Sequence, residues 1–257
     1  MGKLGSLVGW CVSALLIPAV ASAATCTWTG LSGVDGNWST AANWDNCGGA
    51  HAIPQNGDAL VFPGGTARST STDDLLSLDV TTIQITGMPT GGNSYSINAS
   101  SNLVSVTISG GSLQVNTPGN TGVGPNFLVP LKLGAATVVS NIGVGIGTIG
   151  DIDTNGFDLT LTTSTEYLDV TGIISGAGAI IKNGPLFLFL EGNNTFTGPL
   201  TINAGQVKAR HANALGTIAG NTTVKAGAAL VLDAAVTVPE PVTLDGGVLQ
   251  DDTSRPH

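Results

Sequence analysis

The stretch that decides the fold runs from Gly176 to Val207 and reads GAGAIIKNGPLFLFLEGNNTFTGPLTINAGQV. Gly and Asn separate three short apolar runs, and none of these runs is long enough for an ordinary helix. Each break holds residues that tolerate a positive φ. The pattern predicts very short strands that are joined by tight turns and repeated as rungs. Because a rung architecture uses nearly the whole chain as scaffold, it lowers the expectation of a buried catalytic pocket.

Four short motifs follow one another within this stretch. They are Lys-x-Gly at Lys182 and Gly184, Leu-x-Leu-x-Gly at Leu188, Leu190 and Gly192, Asn-Thr-Phe-x-Gly at Asn194, Thr195, Phe196 and Gly198, and Thr-Ile-Asn-x-Gly at Thr201, Ile202, Asn203 and Gly205. Their order and spacing resemble the autotransporter-associated β-strand repeat, also called the passenger-associated transport repeat. Two positions depart from that pattern, because Pro185-Leu186-Phe187 replaces small residues and Glu191 replaces serine. These departures make the rung bulkier without touching its turns.

Period-2 alternation continues through much of the chain. Apolar residues alternate with Thr, Ser, Gln or Asp in the runs 80–85, 103–108, 157–162 and 229–232, as in half-buried strands. We therefore predict an all-β protein that folds as a right-handed parallel β-helix with an N-terminal cap. Residues 67–257 are predicted to form the β-helix repeats, with the clearest repeat at 176–207 and about eight coils of roughly 20–25 residues each. A β-sandwich is the alternative, and it would need more aromatic core than 5% aromatic residues offer.

Residues 1–23 have the features of a secretory signal peptide. Lys3 supplies the positive start, an apolar stretch follows, and Ala21-Ser22-Ala23 forms a cleavage site. The apolar stretch is shorter than the roughly 20 residues that a spanning helix needs. The sequence thus predicts export through the inner membrane and a location outside the cell or at the outer-membrane surface.

The charge balance of the chain narrows the range of partners. With Lys3 removed, seven basic residues remain against 17 acidic ones, so the mature chain is strongly acidic. An acidic chain is a poor candidate for nucleic acid, and it is equally poor for an anionic membrane surface. We therefore expect neither nucleic acid binding nor stable membrane insertion.

Residues 24–66 differ from the rest and are predicted to form a cap. They contain Trp28, Trp38 and Trp44, together with Cys26 and Cys47. In an exported protein two cysteines most often pair, and such a disulfide would stabilise the fold by roughly 3 kcal/mol. The three tryptophans are interpreted as cap packing, with stacking on a glycan as the alternative. A cap covers the first rung of a solenoid, which would otherwise expose core and unpaired strand edges.

Motifs that carry chemistry are weak in this sequence. Asp151 and Asp153 precede Asn155-Gly156 in a pattern like the first half of a calcium loop, but Thr162 stands where the bidentate Glu belongs. A turn is the favoured interpretation, and a weak calcium site is the alternative. Asp73-Asp74 is interpreted as a solvated loop, because an acidic pair rarely makes a glycosidase site on its own. No catalytic residue, cofactor site or metal site is predicted.

The function expected from the sequence is that of a non-enzymatic passenger or adhesin-like module. The resemblance implies an exported structural or adhesive protein of a Gram-negative-type bacterium, contacting glycans or proteins of a host or neighbouring cell. Complete members of the family carry a C-terminal outer-membrane barrel, so this sequence is expected to be a passenger-like fragment without it. Self-association through an open C-terminal end is also expected. The alternatives are a β-helical polysaccharide lyase or hydrolase, which would cluster Asp, Lys and Arg on one face, and a structural spacer without a ligand.

Overall fold

The structure, a computed structural model, describes residues 23–47, 53–91, 94–115, 123–143, 145–233 and 236–252. The predicted signal peptide lies outside these ranges except for Ala23. Strands account for 49% of the protein and helix for 1%. The one described helical element is a 3-10 turn at Ala41–Asn43 in the N-terminal region.

The described strands are short. In the first half of the chain they are β1 Thr25–Trp28, β2 Trp44–Asp45, β3 Ala59–Phe62, β4 Thr70–Asp73, β5 Ser77–Ile85, β6 Ser96–Ala99, β7 Ser105–Val115, β8 Val123–Phe127, β9 Leu131–Leu133, β10 Thr137–Asn141, β11 Ile146–Ile149 and β12 Ile152–Asp153. In the second half they are β13 Leu159–Thr163, β14 Leu168–Val170, β15 Ile174–Ser175, β16 Ile180–Asn183, β17 Phe187–Leu190, β18 Leu200–Ile202, β19 Gly205–Ala209, β20 Thr222–Lys225, β21 Ala228–Asp233, β22 Val242–Asp245 and β23 Val248–Asp252.

Successive coils stack their strands into two long sheets. Sheet A runs in the order β2-β1-β3-β5-β7-β10-β13-β16-β18-β20-β22, and sheet B runs β4-β6-β8-β11-β14-β17-β19-β21-β23. The first parts of β5 and β7 begin a third, short ladder that continues through β9, β12 and β15. Strand pairing is parallel throughout both sheets except between β1 and β2. The coils form a solenoid of about eight turns, so the all-β class and the parallel β-helical architecture predicted from the sequence are confirmed.

Inward side chains build the core as columns that run along the solenoid. In sheet B, Leu168 pairs in register with Leu188, then Val207 and then Leu230, and all four are fully buried. The period-2 alternation of the sequence places every second residue of a strand in such a column. Each fully buried aliphatic side chain contributes roughly 1.5–3 kcal/mol to folding, so the columns are the main favourable contribution.

Glycines stack at the corners between the faces. A Cβ on Gly198 would lie 2.1 Å from the carbonyl oxygen of Gly178 in the coil below, and a Cβ on Gly220 would lie 2.7 Å from the carbonyl oxygen of Gly198. Gly192 stands in the same relation to Gly172, at 2.1 Å. These corners have no room for a side chain, which explains why glycine occupies positions 192 and 198 of the repeat.

The Lys-x-Gly motif forms a capped turn. Gly184 and Gly205 adopt φ values of 83° and 68°, a region that favours glycine. The Lys182 side chain is fully buried, and its Nζ donates to the carbonyl oxygens of Asn183 and Gly184 at 2.8 Å and of Ala204 at 3.2 Å. Burial lowers the pKa of Lys182 to about 8, while the three carbonyl acceptors favour the ammonium form. One lysine thus satisfies carbonyls in two successive turns.

Asn194 links three successive coils. Its Oδ1 accepts a hydrogen bond from the backbone N–H of Ile174 at 2.8 Å, and its Nδ2 donates to the carbonyl oxygen of Ala214 at 2.7 Å. The side chain is 2% exposed. Thr195 points outward while its N–H donates to Ile174, and Phe196 is buried against Gly216. The Asn-Thr-Phe motif therefore alternates a polar bridge, an exposed residue and a core residue.

The Asn203 side chain continues this inter-coil bonding on the surface. Its Nδ2 donates to Asn183 Oδ1 at 3.0 Å, in the coil below. The last described coil differs from those before it, because no described coil covers its apolar side chains. Leu244 and Leu249 are 49% and 48% exposed.

We expect Asn194→Ala to lower the free energy of unfolding by about 2 kcal/mol, because it leaves a buried N–H and a buried carbonyl without partners. Asn193→Ala is the matched control, since Asn193 is exposed and accepts a surface hydrogen bond from Asn213. Its expected change lies within about 0.5 kcal/mol. Urea unfolding followed by circular dichroism measures both, and equal losses in the two variants would rule out the bridging role of Asn194.

Candidate functional site

The tryptophans predicted to lie in the cap are enclosed. Trp28 and Trp38 are fully buried and Trp44 is 5% exposed. All three pack around Phe62, with ring centroids 5.8 to 6.0 Å from it. A sugar needs an exposed ring face, so the alternative of glycan stacking on these tryptophans is wrong. They are a core that continues into the solenoid, because β3 pairs in parallel with both β1 and β5.

A disulfide joins Cys26 and Cys47, whose Cα atoms lie 4.3 Å apart. Cys26 lies on β1 and both residues are buried beside the tryptophan cluster. The bridge ties the segment that follows β2 back to the first parallel strand. It acts on the framework and presents no chemical group to solvent.

The acidic residues considered from the sequence are occupied by backbone bonds. Asp153 Oδ1 accepts from the N–H of Asn155 at 2.8 Å, and Asp151 Oδ1 accepts from the N–H of Ile173 at 2.7 Å. Asn155 and Gly156 have φ values of 50° and 85°, which makes this segment a turn. Within the described residues, no group of three or more His, Cys, Asp or Glu side chains is placed to hold a metal ion.

Asp73 and Asp74 point in different directions. Asp73 is fully buried, and its Oδ1 accepts from the N–H of Leu75 at 2.9 Å. Asp74 Oδ1 accepts from the N–H of Ser39 at 2.8 Å. The interpretation of this pair as a solvated loop is therefore wrong for Asp73, which is the last residue of β4 and lies inside the protein.

The most distinctive surface lies on the outward side of sheet B. A groove of about 380 Å³ crosses β17, β19, β21 and β23. We call it the aromatic groove, with Tyr167, Phe187, Phe189, Gln206, Lys208 and Gln250 as its defining residues. Sequence reasoning identified no site here.

The parallel register brings these residues together from five coils. Phe189 pairs with Asp169 in the coil below and with Lys208 in the coil above, and the column continues through Val231 to Gln250. These positions alternate with the buried core positions, so they point outward. Adjacent strands lie about 4.8 Å apart, and a surface continuous over several coils results.

Three rings form one wall of the groove. The centroid of Tyr167 lies 5.3 Å from that of Phe187 and 5.8 Å from that of Phe189, in edge-to-face geometry. Phe187 and Phe189 are stacked, with planes 5° apart and centroids 5.7 Å apart. All three side chains are half-buried, so each ring keeps part of its surface in contact with solvent.

Charged side chains surround the rings and are paired. The guanidinium carbon of Arg210 lies 4.1 Å from the centre of the Phe189 ring, a cation–π contact. Arg210 Nη1 donates to Glu191 Oε1, and Arg210 Nε lies 3.5 Å from Asp233 Oδ2. Lys208 Nζ donates to Asp252 Oδ2 at the far side of the groove.

Asp169 lies below Phe189 in the same column. Burial, together with the negative charge of Glu191, raises the pKa of Asp169 to about 6, and Arg210 opposes the rise. Its Oδ1 has no hydrogen-bond partner among the described residues. The carboxyl group therefore changes protonation at mildly acidic pH, and its Oδ1 is buried from solvent.

The sequence did contain a signal for this surface. Phe187 and Glu191 are the positions that depart from the small residues and the serine of the repeat pattern. Both side chains belong to the groove or its charged surroundings. Lys208 and Arg210 had no such signal, because their proximity to Phe189 depends on the register between coils.

Comparison with protein-family models, with curated protein sequences and with solved structures gives no significant match for this chain. No described segment forms a helix with the length and apolarity needed to cross a bilayer. The site is therefore interpreted from its own geometry.

Proposed function

We propose that this chain is an exported, non-enzymatic β-solenoid module of the autotransporter passenger type, which acts at the outer-membrane surface or outside the cell. The observation that carries the proposal is the aromatic groove. Tyr167, Phe187 and Phe189 keep solvent contact on a face where outward positions of a solenoid are ordinarily polar. Exposed aromatic clusters of this kind mark binding surfaces. The partner is a glycan or a protein on a host or neighbouring cell.

The roles of the motif residues support the resemblance to the autotransporter-associated β-strand repeat. Lys182 caps two turns, Asn194 bridges three coils and Gly198 allows close stacking. Each role depends on a neighbouring coil that is stacked in register. A chain built this way can fold progressively after export, each coil acting as the template for the next.

Cell binding tests the proposal. The epitope-tagged chain is secreted from a Gram-negative host, purified and incubated with intact bacterial and epithelial cells, and bound protein is measured by flow cytometry. We expect saturable binding that the double substitution Phe187→Ala and Phe189→Ala removes. Phe157→Ala is the control, because Phe157 is a phenylalanine outside the groove with 39% exposure.

Two outcomes would count against an adhesive module. Absence of binding to every cell type would favour the ligand-free structural spacer. Equal loss of binding in the groove variant and in Phe157→Ala would place the contact elsewhere. Sedimentation of the same samples records self-association through the exposed Leu244 and Leu249, so that avidity is not mistaken for affinity.

A polysaccharide lyase or hydrolase is the second candidate, and one observation favours it. Asp169 and Glu191 lie with Arg210 on the same face, and Lys208 is nearby, so acids and bases are clustered. Hydrolases use two carboxyl groups of different pKa. Release of reducing ends or of unsaturated sugars from polysaccharides, abolished by Glu191→Gln, would establish an enzyme and overturn the non-enzymatic proposal.

A further inference from the structure

We propose that the aromatic groove is a binding site for an uncharged polysaccharide, whose pyranose rings pack on the solvent-exposed parts of Tyr167 and Phe187. The inference deepens the proposed function and rests on it, since it names the chemical class of the ligand at the same site. It is carried by the shape of the groove, by its unpaired amides and by its charge balance.

The aromatic wall suits the apolar faces of sugar rings. A pyranose presents its axial C–H groups on one face, and such faces pack on aromatic rings. Phe189 stacks on Phe187, with planes 5° apart and centroids 5.7 Å apart, and Arg210 lies over Phe189. The ring surface open to a sugar is therefore that of Phe187 and Tyr167. Tyr167 holds both rings by edge-to-face contacts. The wall is thus fixed before a ligand arrives, which reduces the entropy lost on binding.

Two glutamines supply hydrogen bonds for hydroxyl groups. Gln206 pairs in register with Phe187, and Gln250 pairs with Val231 in the column that contains Phe189. Both line the groove, and neither side-chain amide forms a hydrogen bond with another described residue. An amide offers both donors and an acceptor, which matches the hydroxyl groups of a neutral sugar.

The charge balance excludes a polyanion. Lys208 is paired with Asp252, and Arg210 is paired with Glu191 and Asp233. Asp169 and Asp251 add further acidic groups at the groove, so carboxylates outnumber the cations and no described cation of the groove lacks an acidic partner. The carboxylates of the groove would repel a uronate chain, whereas a neutral chain would experience no electrostatic repulsion.

A cationic ligand is disfavoured by a different observation. The face of Phe189, where a ligand cation would gain most, is already covered by Arg210 at 4.1 Å. An amine would have to displace this guanidinium and the two carboxylates that hold it. The neutral class is therefore the one that uses the groove as it stands.

Calorimetric titration of the full exported chain separates these classes. The probes are hexasaccharides of β-1,4-glucose, β-1,3-glucose, α-1,4-glucose and β-1,4-mannose, with oligogalacturonate and oligoglucosamine of equal length for charge. We expect at least one neutral probe to bind. Phe187→Ala should weaken that binding about tenfold, and Phe157→Ala should leave it unchanged. Because no charge is recognised, the dissociation constant should change less than about twofold between about 50 and about 500 mM NaCl.

Several outcomes would overturn the inference. Binding of oligogalacturonate or oligoglucosamine alone would assign the groove to a charged ligand. Binding of neutral probes that survives Phe187→Ala would move the site elsewhere. If cells are bound through the groove while every neutral probe fails, the ligand class is wrong and the adhesive function stands. If cell binding also fails, both proposals fall. Circular dichroism of each variant confirms that the solenoid is folded.

Discussion

Gly198→Ala is expected to lower the free energy of unfolding by at least about 3 kcal/mol. The added methyl group would lie 2.1 Å from the Gly178 carbonyl oxygen and 2.8 Å from that of Ala177. Both neighbours are backbone, so no side chain can rotate away and the coils must separate locally. Separation of the two coils would weaken the parallel pairing of β16 with β18, which lies next to this corner. Chemical unfolding in urea measures the loss.

Gly33→Ala is the control for this substitution. A Cβ at Gly33 has nothing within 4 Å, and the residue is exposed. The same chemical change should therefore leave the free energy of unfolding within about 0.5 kcal/mol of wild type. A loss at Gly198 no larger than that at Gly33 would mean that the glycine corners do not limit the spacing of the coils.

The second large effect is a loss of stability as the pH rises from about 4 to about 7. Burial raises the pKa of Asp73 from 3.8 to about 7 and that of Glu240 from 4.5 to about 7. Between these values the folded state binds more protons than the unfolded state, so the free energy of unfolding falls with increasing pH. Asp169, with its pKa raised to about 6, acts in the same direction. The protein should thus be more resistant to urea at pH 4.5 than at pH 8.

Asp73→Asn isolates the main contribution to this pH dependence. Asp73 is fully buried, its Oδ1 accepts from Leu75, and its Oδ2 has no partner among the described residues. The amide keeps the acceptor and removes the charge, so we expect stabilisation on the order of 3 kcal/mol at pH 8 and almost none at pH 4.

Asp45→Asn makes the same change on an exposed residue of β2. This control should keep the wild-type difference between the two pH values. If the free energy of unfolding of Asp73→Asn changed with pH in parallel with wild type, Asp73 would not be the cause of the stability loss between about pH 4 and about pH 7.

The fold was accessible from the sequence because its determinants are local. Alternation in runs such as 159–163 fixes which side chains enter the core, and the glycine and asparagine breaks fix the turns. The repeat motif added the spacing between coils. Gly192 and Gly178 were readable as turn residues, but their stacking on other coils depends on a register that no short motif specifies.

The candidate site was only partly accessible from the sequence, because Phe187 and Glu191 depart from the repeat pattern but their neighbours in other coils depend on the register. Phe189, Lys208 and Gln250 are far apart in the chain and meet only because the coils stack in register. Insertion or deletion of one residue in a coil would turn these side chains to the other face of the sheet. The tryptophans show the opposite case: Trp28, Trp38 and Trp44 are conspicuous in the sequence but buried, whereas Phe187 and Phe189 reach solvent.

Within a coil, some residues join it to its neighbours and others face solvent. This separation affects how the sequence of such a chain can evolve. Corner glycines, Lys182 and Asn194 hold neighbouring coils together through buried contacts, whereas the Gln206 side chain lines the groove on the outward face. Outward residues such as Gln206 can therefore be substituted without disturbing the buried contacts between coils. A whole coil is the natural unit of exchange, and a surface of this kind grows, shrinks or acquires new chemistry one coil at a time.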